Sequence, residues 1–139
     1  MPLLTRWFVR TALLYFVAAL ALGTALLVRP LVAAAPLLSA AWPGYLHLLT
    51  VGWITQLIIG VAYWLFPRPD RARPAPPDHL GWAAYVLLNA GLLLRLAAEP
   101  VAILDPASDA RWLLPFAGFM QLGAAICFLL LVWPRVRAR

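Results

Sequence analysis

The chain has 139 residues, is 65% hydrophobic and has a mean hydropathy of +0.88, which is more apolar surface than a soluble domain of this size can hide. Its eleven basic residues are all arginine, against five acids, and they sit at the ends of apolar runs; this excludes a nucleic-acid patch and points to membrane orientation. The single cysteine, Cys127, excludes an internal disulfide and reads as a small packing residue in mid-span.

Four apolar runs are legible, at about 7–28, 45–66, 80–98 and 112–133. Each is roughly 19 to 22 residues long, which at about 1.5 Å per residue crosses a hydrocarbon core of about 30 Å. The expected fold is an all-α integral membrane protein, a single four-transmembrane-helix bundle. Arg6 and Arg10 precede the first run, and Ala33-Ala34-Ala35 has the small residues of a signal-peptidase site. The run is longer than a signal core, so a retained first helix is expected. Pro30, Pro36, Pro43 and Gly44 shape the loop that follows. The second run holds His47, with Tyr63 and Trp64 at its far end. Pro67, Pro69, Pro74, Pro76 and Pro77 make the next connection non-helical, and Asp78 is suited to cap the third helix. In the third and fourth runs, Asn89 and Gln121 read as interhelical hydrogen-bond partners. Pro115 falls in the first turn or so of the fourth helix, where proline is tolerated.

Eight arginines lie on one side (Arg6, Arg10, Arg68, Arg71, Arg73, Arg135, Arg137, Arg139) and three on the other (Arg29, Arg95, Arg111). That imbalance predicts cytoplasmic termini in a bacterial-type inner membrane. Trp7, Trp42, Trp82, Trp112 and Trp133 sit near span ends, as an aromatic belt would. The acids are expected in loops.

His47 is the only ionisable side chain inside the second run, and an imidazole in hydrocarbon is costly without a partner. Two readings follow: a structural histidine bonded to a neighbouring carbonyl, or a metal ligand, heme iron included. His79, beside Asp78, reads as a solvated interfacial residue. Gly52, Gln56 and Gly60, at i, i+4 and i+8, form a small-residue packing stripe in which Gln56 can bond across the contact. Val51, Ile54, Ile58 and Val61 follow His47 at helical spacing, suiting either lipid or a flat apolar cofactor.

The second run as a whole, Tyr45-Leu46-His47, Gly52-Trp53 and Gly60-Val61-Ala62-Tyr63-Trp64-Leu65-Phe66-Pro67-Arg68, resembles the tenth helix of the large subunit of heme-copper oxidases, nearest the C-type branch and the related nitric oxide reductases. In that family the helix begins His-x-His, continues with Gly-Trp and closes on Gly-x-x-Tyr-x-x-x-Pro-Arg. His47 falls on the second histidine, and Gly52, Trp53, Gly60, Tyr63, Pro67 and Arg68 match in register over 24 residues. Tyr45 stands where the family carries the ligand of its oxygen-reducing heme, and the family's copper ligands have no counterpart. The resemblance therefore implies a low-spin heme ligand at His47 and no binuclear oxygen- or nitric oxide-reducing centre. The family's large subunit resembles three four-helix arcs, and this chain is the size of one. A homo-oligomer is therefore implied, as a dimer or as a trimer.

His47 and His79 are separated by roughly 28 Å across the bilayer, taking about 19 residues of rise, whereas axial nitrogens on one iron lie about 4 Å apart. The economical expectation is a b-type heme held by two copies of His47 in a symmetric dimer. A five-coordinate heme, or Met120 as second ligand, are the other arrangements. Expected cofactor contacts are Tyr45, Val51 and Ile54. Arg95 and Arg111, and after them Arg29, are expected near the propionates. Arg95 also has a simpler use, an ion pair with Glu99 at i+4. The function implied is electron transfer or heme handling beside a respiratory redox partner, or gas binding if His47 is the sole ligand. A cofactor-free structural or assembly subunit of a respiratory complex is the competing reading. A transporter is disfavoured by the lack of charges expected in mid-span.

Overall fold

In hydrocarbon a backbone has no water to bond, so it must satisfy its own N–H and C=O groups, and helices do so within one segment. The structure, a computed structural model, describes residues 1–31, 35–66 and 78–136, and all the regular structure in them is helical. Helix α1 is Leu3–Val28 and runs into a short 3-10 turn, Arg29–Leu31; α2 is Ala35–Ala40. The second span joins α3 (Trp42–His47), a π-helical stretch (Leu48–Thr55) and α4 (Gln56–Leu65). Helix α5 is Asp78–Leu104 and α6 is Ala110–Val136. Four of the resulting helices are long and apolar enough to cross a membrane. The proline-rich connection with Arg68, Arg71 and Arg73, the side chain of Asp78, and Arg137 and Arg139 lie outside the described residues, as do Ala33 and Ala34.

The spans are longer than their sequence pattern predicts, most consequentially the third. Pro100 sits inside α5, and the helix continues past it to Leu104. A proline forfeits one N–H but leaves the φ angle helical, so a helix packed along its length survives it. The true stop is at Asp105. Its backbone carbonyl accepts from Ser108 N and its carboxylate from Ala107 N, closing a tight turn into α6. Glu99, expected in a loop, therefore lies on a helix.

Helices α5 and α6 form the most extensive pair, and α1 packs along the second span. Ala117, Ala124 and Leu131 are buried at seven-residue spacing, a seam of mostly small side chains of the kind that lets membrane helices approach. At Gly91 a side-chain carbon would come within 2.9 Å of the Ala117 carbonyl oxygen, so this crossing requires glycine. Leu4, Phe8, Ile59, Tyr63, Leu88, Ala124 and Leu131 form one core joining all four spans. Polar pairs bind α1 to α5: the Tyr15 hydroxyl donates to Asn89 Oδ1 at 2.9 Å, and Thr11 and Tyr85 share a hydroxyl bond of 2.8 Å. Arg135 is buried and donates from Nη1 to the Tyr63 carbonyl in the last turn of α4, over the Tyr63 ring. A cation there also suits the negative end of the helix dipole. Trp7, Trp42, Trp82, Trp112 and Trp133 are exposed, in keeping with an interfacial belt.

Candidate functional site at His47

His47 closes α3, and the helix changes character just after it. From Leu48 to Thr55 the backbone is π-helical. Extra residues per turn widen the helix and shift its register, and such segments gather at functional sites. Within the stretch the Thr50 hydroxyl donates to the Leu46 carbonyl at 2.8 Å, a side-chain bond of the kind that bends helices. The altered register splits the expected apolar face. Val51 turns inward against the core, whereas Ile54, Ile58 and Val61 stay exposed. Below the stretch the ordinary α period resumes. Gly52, Gln56 and Gly60 are all buried, with Gly52 against Tyr15 and Leu92 and Gly60 against Phe8. The stripe is a packing face. Neither amide atom of Gln56 has a hydrogen-bond partner, so the bond expected across that contact is not made.

The His47 ring is held from two sides. Its Nδ1 lies 2.8 Å from the Pro43 carbonyl oxygen, one turn earlier. A carbonyl oxygen only accepts, so Nδ1 carries a proton, and in the neutral ring Nε2 keeps its lone pair. Proline at 43 sits in the first turn of α3, where its missing N–H costs nothing. Glu99 Oε2 lies 3.5 Å from the same Nδ1. Glu99 is buried, 5% exposed, and its other oxygen, Oε1, accepts from Arg95 Nε at 2.5 Å. Spacing of four residues puts Arg95 and Glu99 on one face of α5. The result is a chain of contacts, Arg95 to Glu99 to His47, with the imidazole side chain 23% exposed at its end.

Of the residues picked out by sequence, the structure brings together His47 and Arg95, through Glu99. Tyr45 lies elsewhere. Positions two apart on an α-helix point about 200° apart, and Tyr45 packs on Gly23 of α1 while His47 faces α5. Arg111 is exposed in the first turn of α6, over the Trp112 ring. Arg29 is exposed at the end of α1 and lines a cavity with Tyr45. Met120 packs at Gly91, eight residues or about 12 Å along α5 from Glu99, and so off the level of His47. His79 is exposed in the first turn of α5, twenty residues or about 30 Å from Glu99, which keeps the two histidines apart.

Glu99 is the member that sequence reasoning misplaced. Its signal was present: Pro100 hid the continuation of α5, but an arginine four residues before a glutamate on a long apolar helix already implied a shared helical face. The Pro43 carbonyl orients the ring, and the buried carboxylate nearby adds negative charge that strengthens the free nitrogen as a donor. The arrangement offers Nε2 as a single donor to a metal-bearing cofactor, or it can serve as a buried polar tie between α3 and α5; among the described residues no group of three or more His, Cys, Asp or Glu side chains is placed to hold a metal ion. No family model matches the chain, and neither a curated protein nor a solved structure does.

Proposed function

We propose that this chain is a homo-oligomeric membrane heme protein with His47 as axial ligand, working in electron transfer or heme handling. The observation that carries the reading is the protonation pattern of one ring. The Pro43 carbonyl takes the Nδ1 proton, which leaves the Nε2 lone pair for iron. The Pro43 carbonyl is the N–H acceptor that ligand histidines commonly have, Glu99 adds a negative charge 3.5 Å from the same nitrogen, and Arg95 compensates that charge. A bound heme supplies a one-electron iron couple whose potential depends on its axial ligands and their hydrogen bonds.

Each chain offers one such histidine, since His79 is about 30 Å away along α5 and Met120 lies at another level. Two copies of His47 on a twofold axis give a six-coordinate, low-spin, b-type site. Arg111, exposed at the start of α6, is suited to a propionate, while Arg95 Nε is committed to Glu99. The excess of arginine at the termini and in the second connection supports cytoplasmic termini in a bacterial-type inner membrane, with His47 toward the opposite surface, where a respiratory redox partner would meet it.

The test is an absorption spectrum of detergent-purified protein expressed with ample heme. The expected result is a Soret band with sharp reduced α and β bands, lost in His47→Ala while the variant elutes at the wild-type volume. A colourless wild type, or bands that survive His47→Ala, would overturn the reading and leave the structural-subunit role in its place.

A further inference from the structure

A feature that the His47 site does not use is a cavity of about 790 Å³ at the end of α1. It falls within the size range of small-molecule sites, about 300–1,000 Å³. It is separate from the His47 site, since Tyr45 lines it and His47 does not. Its composition is divided along its length. Leu20 and Leu27 of α1 form an apolar wall, Arg29 and Ser39 bring a guanidinium and a hydroxyl to the helix end, and the Tyr45 ring sits deeper, against Gly23. Leu20 and Arg29 are nine residues apart, or about 13 Å along the chain direction. No acid is among the described residues that line the cavity, and the ion pairs among the described residues, His47–Glu99 and Arg95–Glu99, leave Arg29 out. A positive, hydroxyl-bearing rim over an apolar wall, at the end of a membrane-spanning helix, is complementary to an amphiphile with an anionic head.

We propose that this cavity binds an anionic phospholipid of the surrounding bilayer, with its phosphate on Arg29 and one acyl chain along Leu20 and Leu27. Arginine is suited to phosphate because its planar fork of N–H donors matches paired oxygens, and Ser39 can add a neutral donor. The lipid is the occupant because the wall runs from the headgroup level into the span, the depth at which a bilayer presents a phosphate and a chain together.

The test is native mass spectrometry of the full chain in detergent, titrated with phosphatidylglycerol and with phosphatidylcholine. Wild type is expected to keep one phosphatidylglycerol per chain and to prefer it roughly fivefold, the effect of about one arginine at a lipid surface. Arg29→Gln removes that preference. Arg10→Gln makes the same change in net charge at an exposed position in the other half of α1, and leaves the preference intact. Thr24→Trp fills the cavity without touching the cation and lowers retention of both lipids, which keeps a readout available if Arg29→Gln fails to fold. The proposal is overturned if Arg29→Gln keeps the wild-type preference, or if Arg10→Gln loses it equally. It is also overturned if free oleate displaces phosphatidylglycerol stoichiometrically, which would assign the site to a carboxylate. Porphyrin bound to wild type and lost from Arg29→Gln would likewise overturn it, by making the cavity the heme site.

Discussion

A neutral imidazole has one proton for two nitrogens, and at His47 the Pro43 carbonyl decides where it sits. That assignment makes Glu99 a second partner of Nδ1 at 3.5 Å rather than its hydrogen-bond acceptor. Glu99→Gln removes the charge beside the ring and leaves the Pro43 bond in place. Loss of a hydrogen-bonded partner typically weakens a metal site by about 10- to 100-fold; Glu99 acts by charge alone, so a heme titration followed at the Soret band should give a dissociation constant weaker by up to roughly tenfold. Unchanged retention in Glu99→Gln would show that the carboxylate serves Arg95 alone. The presence of His47 and its isolation in an apolar run were plain in the sequence. Its partner was not, because Pro100 reads as a stop one residue after Glu99 and only packing along α5 carries the helix on to Leu104.

At the scale of helices, close approach is set by residues that lack bulk. Gly91 lets the α5 backbone reach the Ala117 carbonyl oxygen, where any added carbon would lie at 2.9 Å. Gly91→Val should therefore overpack the crossing and cost about 1–3 kcal/mol, read as a loss of thermal stability in detergent. The Tyr15–Asn89 bond ties α1 to α5 across the middle of the bundle. A double-mutant cycle with Tyr15→Phe and Asn89→Leu should return a coupling of about 0.6 kcal/mol, the average for interhelical bonds in a membrane; a value near zero would mean that the unfolded helices find equivalent partners. Asn89 was recognisable as interhelical glue from its mid-span position, whereas Tyr15 carried little signal because a tyrosine in a membrane helix has many uses. The π-helical stretch has no sequence mark either: Leu48 to Thr55 fits an ordinary apolar helix, and within it Gly52 seats against Tyr15 and Leu92.

At the scale of the whole molecule, one useful histidine per chain makes oligomer and cofactor a single question. If two copies of His47 complete one site, the purified complex should hold one heme per two chains, measured by pyridine hemochromogen against amino-acid analysis and by the mass of the particle. One heme per chain would sink the shared site and favour a five-coordinate iron. The sequence alone determined that this protein is a bundle of four membrane-spanning helices and that His47 stands apart in it, because run length, hydropathy and charge are properties of the chain taken in order. Only the tertiary structure decided that Glu99 is buried beside that ring, that Tyr45 and Arg29 belong to a different cavity, and that Met120 lies at the wrong level. Those are relations between helices, fixed by side-chain packing and by the register of a widened turn, and no spacing within one helix encodes them.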